Sequence, residues 1–179
     1  ITVVLNGFRR QVFLERQISN VRSQSVAVEN ILIWNNGSPI SFKDLADDVV
    51  VANSSKNFGV WSRFAFALNA ETEYVCMLDD DTFPGPRFFE HCLRHMEIEP
   101  ALYGARGLRF HSPKRYHPYE TFGWDGPNEL PQVVDIIGHA WFFKREWLAH
   151  FWRELPLPSS SKLVGEDMHF SHMLQKYGN

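Results

Sequence analysis

Three consecutive aspartates, Asp79, Asp80 and Asp81, directly follow the apolar segment 74–78, which has the pattern of a buried strand. Adjacent carboxylates repel one another, so a fold that gathers three of them needs a compensating cation. A divalent metal with oxygen ligands meets that need most directly. The other interpretation is a solvated acidic turn or a cap for the next helix. A ligand site is favoured because open α/β sheets bind ligands at the carboxyl ends of their strands.

A second acidic pair, Glu166 and Asp167, stands at the predicted start of the last helix. A carboxylate in that position can act as a general base or bind a substrate hydroxyl. It also suits an ordinary helix N-terminus, where acidic side chains offset the helix dipole. The local sequence leaves both interpretations open.

Positive charge and amide groups also lie near predicted strand ends. Arg9, Arg10 and Arg63 are candidates for holding phosphate, and Arg63 falls in the first turns of a predicted helix. Each arginine could equally form a surface ion pair. Asn35 and Asn36 suit either the edge of a nucleobase or the turn that follows them.

The first half of the chain alternates between strand and helix patterns. The apolar periodicity predicts strands at 2–5, 30–34, 49–52 and 74–78, and helices around 14–21, 60–68 and 87–96. This order predicts an α/β fold with a mostly parallel sheet and helices on both faces. Because each strand ends in polar residues, we expect these residues to share one edge of the sheet.

The second half is less regular. It predicts strands at 102–106, 133–137 and 141–143, a short helix around 147–152, and a last helix from about 168 to 177. Segment 110–129 has no period and is rich in Pro, Gly, His and Tyr, so it is predicted as a long surface loop of the kind that often binds ligands. One domain is predicted to span 1–179, with a more regular first half of about 1–105 and a less regular second half of about 106–179.

The composition excludes several classes of protein. A net charge of −3 over 179 residues gives no support for a nucleic-acid or anionic-membrane surface. The two cysteines, Cys76 and Cys92, exclude a disulfide scaffold and favour a reducing, cytoplasmic location. No apolar run is long enough to span a bilayer, and no signal peptide precedes Ile1. The chain opens directly in a strand, as a domain excised from a longer chain would.

The order of the short motifs resembles that of the GT-A glycosyltransferases. The motifs are VLNGFRR at 4–10, IWNNG at 33–37, Asn57, Arg63, LDDDT at 78–82, GHAWFF at 138–143 and GED at 165–167. The similarity runs from Ile1 to Tyr177. It is greatest to the exostosin-like branch and looser to the large inverting family two. A weaker resemblance is to the glycosyltransferases that large algal DNA viruses encode for capsid glycans, which would place the reaction in the host cytoplasm.

The resemblance implies a metal site, because the DxD motif of this family binds Mn²⁺ or Mg²⁺ that bridges the two phosphates of a nucleotide-sugar. Asp81 matches the direct metal ligand. Asp79 matches a residue that faces the ribose or base and is also expected to bind the metal, and Asp80 one that faces the sugar or a metal-bound water. Relatives often add a histidine ligand from a segment beyond the last helix. Here His139, His169 or His172 could substitute, or phosphate and water could complete the metal shell.

The resemblance also implies a donor site for a UDP-sugar. Four residues match segments that hold the uracil: Asn6, Gly7, Phe8 and Asn35. Three match positions near the nucleotide and diphosphate: Arg10, Asn57 and Arg63. Four match the wall of the donor-sugar pocket: Gly138, His139, Ala140 and Trp141. Asp167, with Glu166 beside it, matches the carboxylate next to the reacting sugar.

The implied reaction is sugar transfer to a hydroxyl of a glycan or glycoprotein. Inversion with Asp167 as general base is favoured, although the exostosin-like relatives retain configuration. The candidate acceptor wall is segment 110–129 with Tyr116, Tyr119, Trp124 and Asp125, since aromatic faces stack on sugar rings; the alternative is a mobile loop with no role. Two alternatives are a non-catalytic domain that only binds sugar or nucleotide, and a Mg-dependent nucleotidyltransferase. The second predicts a G-x-G-x-x-G loop after the first strand, and the sequence has none there.

Overall fold

The computed structural model describes residues 1–8, 11–37, 46–155 and 163–178. Within these ranges one sheet has seven strands and is covered by helices on both faces. The strands are β1 Thr2–Gly7, β2 Asn30–Asn36, β3 Val49–Ser54, β4 Tyr74–Leu78, β5 Tyr103–Phe110, β6 Tyr119–Phe122 and β7 Ile136–Lys144. The helices are α1 Leu14–Arg22, α2 Ser62–Phe66, α3 Phe88–Ile98, α4 Leu148–Phe151 and α5 Glu166–Tyr177.

The strands of the described sheet follow the order β3-β2-β1-β4-β7-β5-β6. The first four are parallel to their neighbours, whereas β7, β5 and β6 join by antiparallel pairings. The predicted α/β class is confirmed. The predicted parallel sheet describes its first half, and the sheet as a whole is mixed because the second half of the chain returns through antiparallel strands.

Two elements of the second half differ from the sequence prediction. Segment 110–129, predicted as a loop, contains β6, an edge strand that pairs with β5 and has two exposed residues between two half-buried ones. The strands predicted at 133–137 and 141–143 are one strand, β7, that continues through Gly138. The sequence predicts a break at Gly138, but β7 pairs closely with β5 and continues through this glycine. A Cβ on Gly104 would lie 2.4 Å from the Ala140 carbonyl oxygen, so only glycine fits there.

Alternate residues of the central strands bury opposite faces of the sheet. Val3 and Leu5 of β1 pack into a cluster with α1 and α3, while Val4 between them packs into a cluster with α2, α4 and α5. The stripe predicted on α1 is confirmed, because Leu14, Ile18 and Val21 are all buried.

An aromatic cluster fixes α2, α4 and α5 relative to one another. The rings of Phe64 and Phe151 stack with centroids 4.1 Å apart, and Phe170 meets both rings edge to face. Each such pair contributes about 0.5–1.5 kcal/mol beyond its buried area. The cluster therefore holds the start of α2 and the start of α5, which carry Arg63 and Glu166, in a fixed relation.

The carboxyl ends of the parallel strands meet at one edge of the sheet. The register places Gly7, Asn35 and Asn53 side by side at the ends of β1, β2 and β3. Strand β7 runs in the opposite direction, so its beginning reaches the same edge. The Asp79 N–H donates to the His139 carbonyl oxygen at 3.0 Å, which joins the acidic segment to β7.

Candidate functional site

The acidic loop after β4, residues 79–82, is held by an amide from α1. The Gln17 Nε2 donates to the carbonyl oxygens of Asp79, at 2.7 Å, and Thr82, at 3.1 Å. Gln17 is only 1% exposed. Gln17 is not among the functional residues predicted from the sequence. It stands three residues after Leu14 and one before Ile18, so it lies on the buried face of α1. A polar residue on an apolar stripe was the signal that could have found it.

Two further amides extend this clamp along the backbone that leads into α3. The Asn20 Nδ2 donates to the Pro84 carbonyl oxygen at 3.2 Å, and the Gln24 Nε2 to that of Gly85 at 2.9 Å. Because all three side chains bind main-chain carbonyls, they fix the path of the loop backbone.

Arg63 brings together the two acidic groups that are distant in the sequence. Its Nη1 lies 2.7 Å from Asp79 Oδ1, and its Nη2 lies 2.9 Å from Glu166 Oε1. The guanidinium is 2% exposed and stacks over the Trp141 ring at 4.7 Å. The site is thus built on a carboxylate–arginine–carboxylate bridge that joins the end of β4 to the start of α5.

The bridge changes the pKa values of Arg63 and Glu166. Burial lowers the pKa of Arg63, but the charges of Asp79 and Glu166 outweigh it, so the net pKa is raised and the cation persists. Burial raises the pKa of Glu166, and Arg63 opposes that shift without cancelling it. The expected contact of Arg63 with a diphosphate is not what this geometry shows, since the guanidinium lies between two carboxylates and beneath the site.

The second oxygen of Asp79 faces the donor-sugar wall predicted from the sequence. His139 Nδ1 lies 3.7 Å from Asp79 Oδ2, and His139 adopts the left-handed φ of 65°. Its ring meets Trp124 edge to face at 5.2 Å, and Arg106 lies over the same Trp124 ring at 4.4 Å. The structure therefore brings together Asp79, His139 and Trp124. It adds Arg106, which sequence reasoning missed because an arginine in a strand carries no distinguishing pattern.

The other residues of that predicted wall divide into two groups. Ala140 and Trp141 are buried at 0% and 1% exposure, and the Trp141 Nε1 donates to the Ile137 carbonyl oxygen at 2.8 Å. The Trp141 ring supports the Arg63 guanidinium, whereas Ala140 packs in the cluster with α1 and α3, and neither side chain presents a surface to a ligand. Gly138 has open space where a Cβ would stand. Gly138 and His139 are therefore the part of this segment that faces the edge.

The predicted nucleotide side of the edge contains an unpaired polar atom. Asn6 Oδ1 is buried and accepts no hydrogen bond from the residues that the structure describes. Asn35 is fully buried and donates through Nδ2 to Asn53 Oδ1 at 2.8 Å. A Cβ on Gly7 would stand 3.1 Å from Asn35 Oδ1, so glycine leaves room for this amide. Phe8 is half-buried beside them, and Arg10 lies outside the described residues.

Asn36 and Asn57 shape the loop before α2. Asn36 donates to the Gly59 carbonyl oxygen and accepts from the Phe58 N–H, at 2.8 and 3.0 Å. Asn57 is exposed and accepts from the Gly59 N–H at 2.7 Å. Asn36 is therefore a structural residue. Asn57, predicted to contact the nucleotide, is exposed at the same end of the sheet.

The remaining acidic residues lie at the rim. Asp80 is half-buried and Asp81 is exposed, and Asp167 is half-buried and accepts from the Met168 N–H at 2.7 Å. Burial raises the pKa of Tyr116, and the negative charges of Tyr119 and Asp167 raise it further, which places Asp167 within electrostatic reach of the β5–β6 hairpin. Tyr119 belongs to an aromatic group on that hairpin, and Asp125 is exposed beyond it.

The donor set fits a hard cation held by few protein ligands. No three His, Cys, Asp or Glu residues among the described parts of the chain form a group that could hold a metal ion. Mg²⁺ and similar ions commonly bind through one or two carboxylates, with phosphate oxygens and water completing the shell. Asp80 and Asp81 offer such carboxylates at the rim, whereas one oxygen of Asp79 already binds Arg63.

The histidines named as possible metal ligands are separated by the fold. His139 borders the acidic loop. His169 packs between Trp61 and Phe151 and lies 2.8 Å from the Phe151 carbonyl oxygen, inside the aromatic cluster. His172 is exposed on α5. Only His139 of these three described histidines contacts an aspartate of the loop.

The family model for glycosyl transferase family 2 matches residues 1–152, and the chain belongs to that family. A search of curated protein sequences gave no match. In the described residues, no helix is both long and apolar enough to cross a membrane.

Solved structures confirm the GT-A fold. TarS of S. aureus, residues 1–349 in complex with UDP-GlcNAc, is similar with a TM-score of 0.60 and 12% identity, over 96% of this chain and 52% of that one. The mannosyltransferase PcManGT of Pyrobaculum calidifontis, in complex with GDP-Man and Mn²⁺, is similar with a TM-score of 0.60 and 16% identity, over 98% and 50%. The chain thus spans about half the length of these structures.

Proposed function

We propose that the chain transfers a sugar from a UDP-sugar to a hydroxyl of a glycan or glycoprotein, with Mn²⁺ or Mg²⁺ as cofactor. The observation that carries this proposal is the Arg63 bridge. It joins Asp79 of the acidic loop to Glu166 at the start of α5, at 2.7 and 2.9 Å. The bridge thereby brings the acidic loop and the start of α5 together, as is needed for a group that binds a diphosphate and a group that assists attack on the adjacent sugar to act on one substrate.

The nucleotide would lie over the ends of β1 and β2. Asn6 Oδ1 is buried and has no hydrogen-bond partner among the described residues, so it can accept a hydrogen bond from a uracil N–H. TarS binds UDP-GlcNAc and PcManGT binds GDP-Man, so the two similar structures support a nucleoside diphosphate sugar and differ in the base. We choose UDP because the sequence motifs 4–10 and 33–37 resemble uracil-binding segments.

Asp81 and Asp80 would hold the metal ion, with phosphate oxygens and water as its other ligands. When bound, the ion neutralises the negative charge that develops on the departing diphosphate. The amide of Gln17 fixes the loop backbone, and Arg63 holds one oxygen of Asp79 in place. The chain thereby keeps the carboxylates in place before the substrate arrives, which is the electrostatic preorganisation that favours catalysis.

Asp167 would serve as the general base. The sugar becomes oxocarbenium-like as its bond to the diphosphate breaks, and a nearby carboxylate stabilises that charge. Glu166 is buried against Arg63, so it positions the start of α5, whereas the half-buried Asp167 can reach an acceptor hydroxyl. Proton removal by a positioned base contributes about 10²–10⁴ in rate. Attack from the opposite face gives inversion, and the resemblance to the exostosin-like branch makes retention the competing outcome.

Acceptor contacts would come from Tyr119, Trp124 and Asp125. Trp124 packs against His139, which borders Asp79, so an acceptor stacked on this ring would lie near the acidic edge. Residues 1–105 would form a nucleotide-binding half and residues 106–179 a donor-sugar and acceptor half, a division supported by the change from parallel to antiparallel pairing. Further domains would complete the acceptor site. The two free, buried thiols are compatible with a cytoplasmic setting.

Ligand-induced stabilisation tests the donor site. The melting temperature is measured with UDP, GDP, UDP-GlcNAc, GDP-Man and Mn²⁺ separately and in combination, since a ligand of the native state raises it in proportion to affinity. We expect UDP and Mn²⁺ together to raise the melting temperature by more than the sum of the increases that each gives alone. Release of UDP from a UDP-sugar then separates a transferase from a binding domain. No shift with any nucleotide would contradict the proposal.

A further inference from the structure

The β5–β6 hairpin has a charge opposite to that of the rest of the chain. We call residues 106–122 the hairpin arm. It contains four Arg or Lys residues and one Glu, for a net charge of +3, while the whole chain has −3, so the other residues have −6. The single acid, Glu120, lies 3.3 Å from Arg109 and is paired within the arm. The arm is therefore a local cationic surface on an acidic protein.

The register shows that the arm extends beyond the acidic edge. Arg106 pairs with Gly138 and Leu108 with Ile136, the first residue of β7. Strand β5 continues to Phe110, four residues past Arg106, which is roughly 13 Å farther along the strand. Because β7 begins at the edge where the Asp79 N–H donates to the His139 carbonyl oxygen, β5 continues past this edge of the sheet.

Aromatic rings cluster at the end of the arm. The Tyr116 ring lies 5.4 Å from both Phe110 and Tyr119, and the His117 ring lies 4.6 Å from Tyr119. Tyr116 is 47% exposed, so this aromatic group lies on the surface and is not part of a buried core. Exposed, mutually braced rings with polar tips are well suited to stacking on the apolar face of a pyranose.

Two cations beside these rings have no acidic partner. Lys114 and Arg115 are both exposed, and neither pairs with a carboxylate among the residues that the structure describes. Unpaired cations next to an aromatic platform attract an anion that a stacked ligand carries. The Tyr116 hydroxyl is also within electrostatic reach of Asp167. A ligand on the arm would therefore extend towards the proposed base.

We propose that the hairpin arm binds an anionic carbohydrate, with its rings on Tyr116 and Tyr119 and its negative groups on Lys114 and Arg115. This inference rests on the proposed function and names the chemical class of its acceptor. The negative group can be a carboxylate, a sulfate or a phosphate, since all three provide oxygens that a guanidinium binds. A neutral glycan would use the rings alone and would bind more weakly.

The test is a set of binding titrations on the whole chain with matched oligosaccharides. The probes are neutral maltotetraose, maltotetraose carrying one phosphate, tetragalacturonate and a chondroitin sulfate tetrasaccharide. We expect at least one anionic probe to bind tenfold or more tightly than maltotetraose, with an affinity that falls as salt is raised. The comparison among the three anions identifies the source of the charge. Equal affinity for neutral and anionic probes would overturn the inference.

Variants assign the effect to the arm. K114E/R115E reverses two exposed charges, and we expect the preference for the anionic probe to fall tenfold or more. R87E/R94E reverses two exposed charges at α3 and is the matched control, with no change in glycan affinity expected. Y116A should weaken the neutral and anionic probes by the same factor. Equal effects of K114E/R115E and R87E/R94E would contradict the assignment, and melting curves confirm that each variant is folded.

Two further measurements separate this inference from its rivals. UDP with Mn²⁺ is titrated into the same wild-type sample: if UDP binds and no anionic glycan does, only the present inference fails. If glycans bind and UDP does not, the proposed donor site fails instead. A single-stranded oligodeoxythymidylate of matched charge is the last probe. Tighter binding of this oligonucleotide than of every glycan would show a nucleic-acid surface and overturn the proposal.

Discussion

Arg63 Nη1 lies 2.7 Å from Asp79 Oδ1, and this ion pair connects α2 to the acidic loop after β4. The other amino group of the same guanidinium binds Glu166 at 2.9 Å, so the orientation of the acidic loop and the position of α5 depend on one buried cation. Arginine suits this role because its planar fork serves two carboxylates at once, which a lysine ammonium does in poorer geometry.

Replacement of Arg63 by methionine should destabilise the fold strongly. The R63M variant leaves Glu166 buried without its cation, and breaking a buried pair in this way costs about 3–5 kcal/mol. The free energy of unfolding from urea denaturation measures the loss. The R94M variant removes an exposed arginine from α3 and should stay within about 0.5 kcal/mol of wild type. Similar stability of the two variants would contradict a structural role for the bridge.

Substitution of Asp167 by asparagine should abolish transfer and spare nucleotide binding. The D167N side chain keeps its size and loses the ability to accept a proton, so kcat should fall by about 10²–10⁴. The dissociation constant for UDP with Mn²⁺ should remain within about twofold, because Asp167 lies outside the acidic loop. Parallel loss of turnover and UDP binding would remove its assignment as the base.

Replacement of Gln17 by leucine should loosen the acidic loop. The Q17L variant removes the Gln17 donor from the Thr82 carbonyl oxygen and one of two donors from the Asp79 carbonyl oxygen, which still accepts from the Thr82 N–H. Loss of these hydrogen bonds costs about 1–3 kcal/mol. Because the same loop is proposed to hold the metal ion, the affinity for UDP with Mn²⁺ should fall by about tenfold. Q132A, which removes an exposed amide bound to the Leu130 carbonyl, is the control. An unchanged nucleotide affinity in Q17L would show that the clamp has no role in the site.

The two thiols should make stability fall at high pH. Burial raises the pKa of Cys92 to about 12 and that of Cys76 well above its ordinary value of 9. The folded state therefore keeps protons that the unfolded state loses. The contribution of the thiols to the free energy of unfolding is fully present below pH 9. It declines as the pH rises towards 12, by about 1.4 kcal/mol per pH unit for each thiol.

Urea denaturation from pH 8 to pH 11 checks this slope against a C76A/C92A variant, in which the same tyrosines and lysines titrate. The difference between the two curves isolates the thiols. Identical pH dependence in both proteins would contradict the assignment.

The sequence supported the acidic loop and α1 well because both depend on short-range patterns. Asp79 follows five apolar residues, and Leu14, Ile18 and Val21 recur at helical spacing. Both features lie where they were predicted. By contrast, β6 has only four residues and is half exposed, so it lacks the apolar run by which a central strand is recognised.

The contacts that complete the site could not be predicted from local patterns. Arg63 and Glu166 are 103 residues apart, and nothing near either residue indicates the other. Their pairing follows from the ring packing of Phe64 and Phe151, which depends on tertiary structure. Gln17 is an intermediate case, because its position on an apolar stripe was visible but its partners in the acidic loop were not.

The wide sequence separation across the Arg63 bridge has a consequence for biosynthesis. A ribosome releases β1 to β4 well before α5, so a nascent chain holds the guanidinium with only one of its two counter-charges. Loop-closure entropy must be overcome before the second one is engaged. Maturation of the reaction centre is thereby coupled to arrival of the last helix, and a prematurely terminated product would lack an ordered acidic edge.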